Sequence, residues 1–294
     1  MTHLFEFIQQ MINGLSLGSI YALMALGYTM VYGIIKLINF AHGDILMIGA
    51  YIGLYCSWAG IPFLPAVAIA MVACAVLGMI IEKVAYRPLR NAPRIAILIT
   101  AIGVSFLLEY IMMYFFTGTS QVYAQGFFGG GNIQLGQVTL PKDKLYVMLI
   151  AVVIMVALQF VIQKTRVGKA MRAVSSDRDA AELMGISVNR TISFTFIIGS
   201  ALAAVAGVMY GAMYTANPLM GVQPGLKAFI AAVFGGIGSI PGAMLGGMLL
   251  GLIETLVVAL GMSQLKDAVA FAILIIILLV RPAGILGRNV REKV

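Results

Sequence analysis

The chain has 294 residues, 61% of them hydrophobic and only 10% Asp, Glu, Lys or Arg, where a soluble domain carries about 25%. With a mean hydropathy of +1.01, that balance excludes an ordinary soluble fold. The net charge of +8 does not indicate a nucleic-acid partner, because fourteen of the nineteen Lys and Arg residues fall in three short segments, 83–94, 164–190 and 281–293. No stacked-aromatic or groove-reading motif accompanies them. Basic residues gathered in short loops between apolar runs mark the cytoplasmic side of a membrane protein.

Apolar runs of about 20 residues recur, long enough to cross a hydrocarbon core of about 30 Å. Runs such as FAILIIILLV lack the alternation of a barrel strand. The expected fold is all-α, a polytopic transmembrane helical bundle of about eight or nine membrane segments including short or broken helices. It forms a single transmembrane domain over residues 1–294. Cys56 and Cys74 lie in apolar segments, and His3 and His42 are the only histidines. These are too few for a thiolate or imidazole metal site, so neither a metal nor a cofactor is expected.

The first segment covers residues 4–32. It carries Glu6 and no basic run before its apolar stretch, so no cleavable signal is expected. Gly14 and Gly18 form a small-xxx-small pair that lets another helix approach closely, within the subunit or across a dimer. Residues 36–44, KLINFAHGD, set polar groups in an apolar neighbourhood ahead of a second helix over 43–58. Polar groups at membrane depth need water or protein partners. Asn39, His42 and Asp44, with Phe40 among them, are therefore candidates for the solute route, and Asp44 is equally a cap for the second helix.

Pro62 opens a third segment that ends in the basic loop 83–94, and a fourth covers 95–116 with Glu109 inside it. Residues 117–144 are rich in Gly, Gln and Thr and carry Gly129, Gly130 and Gly131. They are expected outside the cytoplasm, where they could meet an external partner. A fifth segment, 145–162, returns to a cytoplasmic loop over 164–190. The sixth, 191–215, carries a second close-packing pair, Gly207 and Gly211, and ends at Asn217 and Pro218.

From Pro224 a short helix runs to about Phe234, roughly 15–21 Å long at about 1.5 Å per residue and too short to span upright. Gly235, Gly236, Gly238 and the pair Pro241 and Gly242 then break the chain. Broken helices at membrane depth are tolerated where they are buried in protein or line a cavity, so Asn217, Gly235, Gly236 and Gly238 join the route candidates. Segments over 243–260, with Glu254, and over 265–280 complete the bundle. Arg281, Arg288, Arg291 and Lys293 place the C-terminus in the cytoplasm, which holds only if the short helix counts as a crossing, so a crossing is expected. Counting back from 83–94 places the N-terminus outside. Gly, Pro and Asn breaks in segments one to four and again in six to nine hint at an internal repeat.

Nine of the thirty charged residues lie in residues 164–190. Ser176 or Asp177 caps a helix there, since a short side-chain oxygen accepts from the free amides of a first turn. Asp177, Asp179 and Glu182 put negative charge where the helix dipole favours it. Ala180, Leu183 and Met184 share one face at i, i+3 and i+4, and Gly185 supplies the left-handed stop. The product is about two turns of amphipathic helix held outside the bilayer. Its apolar face is too small to fold alone and needs a partner surface.

No G-x-x-x-x-G-K-[ST] phosphate loop occurs; Gly168, Lys169 and Ala170 come nearest and lack the hydroxyl and the spacing. G-x-S-x-G and H-E-x-x-H are also missing, so the chain is not expected to be an enzyme. Glu109 and Glu254 are the carboxylates deepest in apolar segments and thus candidates for a proton relay or a ligand contact. The other reading is a protonated or hydrogen-bonded Glu at a helix contact, because neither segment holds a second ionisable residue.

Asp179, Ala180, Ala181, Met184, Gly185, Ile186 and Val188, within residues 173–188, resemble the cytoplasmic coupling loop of branched-chain amino-acid permeases. These are the membrane subunits of ATP-binding-cassette importers. Residues 39–44 (NFAHGD) with Gly49, Ala50 and Tyr51, and residues 234–242 (FGGIGSIPG), resemble the same family, so the likeness covers essentially the whole chain. It departs at Ser176 and Asp177, where the family often has Asn-Pro, which changes the cap rather than the helix.

The resemblance implies a multi-pass subunit of the bacterial cytoplasmic (inner) membrane, in contact with lipid. The implied partners are a second homologous permease, two cytoplasmic ATPase subunits and an extracytoplasmic solute-binding protein. Leucine, isoleucine or valine would be the solute and alternating access the mechanism. Coupling would run through Ser176, Asp177, Asp179, Ala180, Glu182, Leu183, Met184 and Gly185. Relatives of similar architecture take urea or short amides, and a proton-coupled carrier built on Glu109 and Glu254 is the alternative from another class.

Overall fold

A computed structural model describes residues 2–90, 92–135 and 138–287. Expectations resting on Asn91, on Gly136 and Gln137, and on Arg288, Arg291 and Lys293 lie outside the described residues. The first half comprises α1 (Thr2–Ile35), α2 (His42–Trp58), α3 (Phe63–Ile81) with a π turn (Glu82–Tyr86) continuing it, and α4 (Arg94–Phe116). A hairpin, β1 (Asn132–Leu135) and β2 (Val138–Pro141), leads into α5 (Lys142–Lys164), α6 (Arg166–Ser176) and α7 (Arg178–Leu183). The second half is α8 (Val188–Met213), α9 (Val222–Gly235), α10 (Ile240–Ala259) and α11 (Lys266–Val280). Among the described residues, seven helical stretches are long and apolar enough to cross a membrane. With α2 and α9, at 17 and 14 residues, they account for the expected segments.

Chain punctuation follows local chemistry. Pro62, Pro93 and Pro141 stand immediately before α3, α4 and α5, where a residue without an N–H and with φ already fixed starts a helix at little cost. Ser239 caps α10, its Oγ accepting from Gly242 N at 3.3 Å. The hairpin is an addition to the all-helical expectation. Gly129, Gly130 and Gly131 all take positive φ and turn the chain, and Asn132 then pairs with Pro141 and Ile133 with Leu140 in antiparallel register.

Small residues set the two tightest crossings. A Cβ at Gly14 would stand 2.9 Å from Leu252 Cα and one at Gly18 2.8 Å from Met248 Cα; from the other side Gly247 faces Ala22 and Gly251 faces Gly18. The Gly14–Gly18 pair therefore packs α1 onto α10 within the chain. Likewise α2 lies on α8, with Gly49 against Ala204, Gly53 against Val208, Gly207 against Leu46 and Gly211 against Ala50. Close backbone approach of this kind replaces the hydrophobic drive that lipid cannot supply.

These contacts repeat. The α1–α10 pairing has its counterpart in α8–α3, α2–α8 in α9–α1, α2–α3 in α9–α10, and α2–α4 in α9–α11. Hence α1–α4 and α8–α11 are two copies of one four-helix unit. The single crossing α5 between them leaves the second copy inverted, an arrangement shared by many transporters. At the centre the starts of the two short helices meet: a Cβ at Gly43 would lie 2.5 Å from the Gly221 carbonyl oxygen, and one at Gly225 3.1 Å from Gly43 Cα.

Sidedness can be traced through contacts at the helix ends. Gln121 and Ala216 exchange backbone hydrogen bonds on the hairpin side, where α8 ends, while Ile285 and Leu286 donate to the carbonyls of Phe234 and Gly235 at the far end of α9. The short helix is thus part of a crossing rather than a return to the same face. Lys144, at the start of α5, donates to Asn13, and Arg178 donates to the Ile34 carbonyl at 3.0 Å. So α1 runs unbroken from the hairpin side to the side of α6 and α7.

Candidate functional site

Residues 164–190 fold as two helices. Thr165 caps α6, its Oγ1 accepting from Gly168 N at 3.2 Å, and Met171 and Val174 bury one face of it. The sequence reading concentrated on the second helix; the signal for the first was Thr165 followed by Val167, Met171 and Val174 at helical spacing. Asp177 caps α7, its Oδ1 accepting from Ala180 N at 3.0 Å. Ser176 instead closes α6, its Oγ donating to the Arg172 carbonyl at 3.1 Å.

At the end of α7, Gly185 takes φ +80°, Gly185 N donates to the Glu182 carbonyl and Ile186 N to that of Ala181. This double closure satisfies the last carbonyls of the helix. Ala181 turns inward at 4% exposure, whereas Leu183 and Met184 are 89% and 82% exposed. Asp179, Ala180 and Glu182 are exposed with them. The helix therefore offers two large apolar side chains outward.

Its inner attachments are polar. Arg178 Nη2 donates to the Ile34 carbonyl at 3.0 Å, one of the terminal carbonyls of α1 that have no partner within their helix. Glu82, fully buried in the π turn, accepts from Arg90 and from Ser193 Oγ at 2.7 Å. Arg90 also donates to Asn189 at the start of α8. Burial holds the Arg90 guanidinium below its usual range, with Glu82 opposing that shift. A cavity of about 390 Å³ lined by Lys36, Arg90, Asp177 and Arg178 opens between α7 and the end of α1. Removing the cap should loosen this assembly: Asp177→Ala is expected to cost α7 about 1 kcal/mol and to lower solute uptake partially. Asp177→Asn, which keeps the acceptor, should restore uptake in a parallel assay.

The route candidates fall in two places. Asn39 is buried and accepts from Tyr86 Oη at 2.8 Å. Phe40 packs against the core. His42, 1% exposed, begins α2 and meets the Tyr28 ring edge-on at 4.7 Å, and its Nε2 has no hydrogen-bond partner. Asp44 is buried in the first turn of α2 and accepts from Ser105 Oγ on α4, one turn before Glu109 on the same helix. These residues gather where α2 and α9 start. Asn217 caps the approach to α9, accepting from Leu219 N at 3.1 Å. Gly235, Gly236 and Gly238 lie at the other end of α9, where Gly235 meets the Gly242 backbone and Gly236 and Gly238 take φ +109° and +93°. They shape a tight turn between α9 and α10.

Glu254 has partners that its own segment did not disclose. Tyr21 Oη on α1 donates to its Oε2 at 3.0 Å. Lys227 Nζ on α9 lies 2.9 Å from its Oε1 and 2.8 Å from Asp267 Oδ1 on α11. Lys227 also stands 6.0 Å over the Tyr21 ring. Sequence reasoning missed Lys227, although a lysine inside a short apolar helix was itself the signal, since such a charge needs a partner. The repeat places the two charges comparably: Asp44 ties α2 to α4, and Lys227 ties α9 to α11.

Two inverted four-helix units, broken helices meeting at their centre, and a capped helix displayed at one end together define the membrane subunit of a transporter. The family described as branched-chain amino acid transport system permease component matches residues 10–278. The chain is 45% identical to the high-affinity branched-chain amino acid transport system permease protein LivH of Salmonella typhimurium, over 98% of this chain and 98% of that one. It is 43% identical to the corresponding protein BraD of Pseudomonas aeruginosa, over 100% of both. The chain belongs to this branched-chain amino acid permease family. It is a multi-pass inner-membrane transport subunit and not an enzyme, and as one component of a transport system it works with others.

Proposed function

We propose that the chain forms half of the membrane channel of an ATP-binding-cassette importer for leucine, isoleucine and valine. It pairs with a second homologous permease, rests on two cytoplasmic ATPase subunits and receives solute from an extracytoplasmic binding protein. The observation that carries this reading is α7: a helix capped at both ends, fastened to α1 through Arg178, with Leu183 and Met184 exposed. Closure of the ATPase pair pushes on that tip. The push reaches α1 through the Ile34 carbonyl and α8 through Asn189 and Arg90, and the two inverted units change their relative tilt. ATP shifts this equilibrium only because the tip docks differently in the outward- and inward-open states.

Lacking a phosphate loop, the purified chain is expected to hydrolyse no ATP. Leucine uptake into proteoliposomes should require both ATPase subunits and internal-face ATP. Uptake that follows a proton gradient without ATP would instead establish the carrier built on Glu109 and Glu254, and import of urea or short amides in place of leucine would reassign the solute.

A further inference from the structure

The two ends of α11 are held by different chemistry. Helices associate in lipid through close packing, yet Ala270 is the single buried residue of α11, so its ends must do most of the holding. At the end away from the hairpin the chain turns at Gly284, φ +77°. Ile285 and Leu286 then donate main-chain hydrogen bonds to the Phe234 and Gly235 carbonyls at 3.0 and 2.9 Å. At the hairpin-side end, among the described residues, the one polar contact with another helix is the ion pair of Asp267 with Lys227 on α9, at 2.8 Å. Leu260, Met262 and Leu265, in the turn that leads into α11, are exposed, and Gly261 bends that turn at φ +79° with open space around its Cβ position.

The two carboxylates on Lys227 are not equivalent. The Glu254 side chain is 3% exposed and also accepts from Tyr21 on α1, whereas that of Asp267 is 42% exposed. An exposed charge pair contributes little net stability, because water solvates the partners once they part. A buried pair cannot be broken without leaving a charge unpaired. If the end of α11 swings away, Lys227 therefore keeps Glu254 while Asp267 passes into water. Lys227 and Glu254 also line a cavity of about 390 Å³ on the hairpin side, through which water reaches the parted ammonium. In the first unit the corresponding tie, Ser105 to Asp44, ends on a carboxylate that is 2% exposed and offers no such release.

We propose that Lys227 and Asp267 are the outer latch of the importer, a reading that rests on the function proposed above. The hairpin-side end of α11 is a flap, fixed at its other end by the Ile285 and Leu286 hydrogen bonds. It parts from α9 when the solute-loaded binding protein docks, and Lys227 stays on Glu254 throughout.

The test uses the complete importer in lipid discs and measures spin-label distances at the two ends of α11. The outer pair is Leu265→Cys with Val122→Cys, and the inner pair, in a separate preparation, is Leu279→Cys with Val84→Cys. All four side chains are exposed, Cys56 and Cys74 are buried, and the unsubstituted complex gives the labelling background. Asp267→Ala should raise the ratio of long to short distances in the outer pair about threefold, the worth of one exposed ion pair, and leave the inner pair unchanged. Asp267→Glu should restore the wild-type distribution. High salt should lengthen the wild-type outer pair in the same way, since an exposed pair is screened, and should not move Asp267→Ala. Docking of the leucine-loaded binding protein should populate the same longer distance in the wild type. An unchanged outer pair in Asp267→Ala overturns the latch, and so does equal movement of both pairs, which would mean that α11 has simply come loose. With uptake intact, a wild-type outer pair that never lengthens on docking overturns it as well. Leucine uptake by the same preparation tests the proposed function separately: if ATP drives none, that function falls, and the distances in Asp267→Ala and at high salt still decide the latch.

Discussion

Leu183→Asp is expected to leave the chain inserted and paired with its partner permease but unable to hold ATPase subunits. The side chain is 89% exposed and touches no core, so the substitution removes nothing from the folded bundle. In the docked complex it does the opposite, placing a carboxylate against apolar surface. A charge buried without a partner costs several kcal/mol or forces the helix away. Even the loss of an apolar anchor at the centre of an interface costs about 2 kcal/mol, roughly thirtyfold in affinity. Pull-down from detergent extract should therefore lose the ATPase subunits, with solute-stimulated ATP hydrolysis and uptake lost in parallel. Arg172→Ala is the control. Arg172 is exposed on α6 and donates to the Gln163 carbonyl at 3.3 Å, a weak surface contact whose removal should change little. Wild-type ATPase binding and uptake by Leu183→Asp would remove α7 from the coupling pathway.

The parts of this molecule that could be read from residues are those set by local chemistry. Apolar runs located the spans, Gly185 marked the end of α7, and the short stretch after Pro224 stood out because it cannot cross a bilayer upright. Cap choice was undetermined between Ser176 and Asp177, since both offer an acceptor one residue apart; the helix that ends at Ser176 decides it. Partners across the bundle were out of reach. Glu254 looked solitary along its own helix because Tyr21, Lys227 and Asp267 arrive from three others, with sequence separations that no periodicity reports. For the same reason the glycines signalled close approach without naming the neighbour. The repeat became clear only when α1–α10 and α8–α3 could be compared as contacts. The hairpin escaped notice because two strands of four residues hardly register in a loop rich in glycine.

The α1–α10 crossing should be the least tolerant place in the chain, and Gly251→Leu the substitution that exposes it. A Cβ at Gly251 would run into the Gly18 backbone and stand 2.7 Å from the Gly14 carbonyl oxygen. These obstacles are main-chain atoms of a long helix, so no rotamer change relieves them, and α1 and α10 must separate along their contact. Separation would also disturb the reciprocal seats of Gly14 on Leu252 and Gly18 on Met248. Overpacking a core usually costs about 1–3 kcal/mol, and more when the neighbour cannot yield, so this variant should sit at or above the upper figure. The bundle gains no compensating hydrophobic term, because lipid already solvates a leucine as well as a helix interface does. Gly103→Leu provides the comparison: it lies on α4 with nothing within 4 Å of its Cβ position and should be neutral. The measurement is thermal melting of detergent-solubilised protein by size-exclusion chromatography, alongside the yield of membrane-inserted chain. Gly251→Leu should show a large fall in both, and wild-type melting by that variant would mean that α1 and α10 do not meet at these glycines.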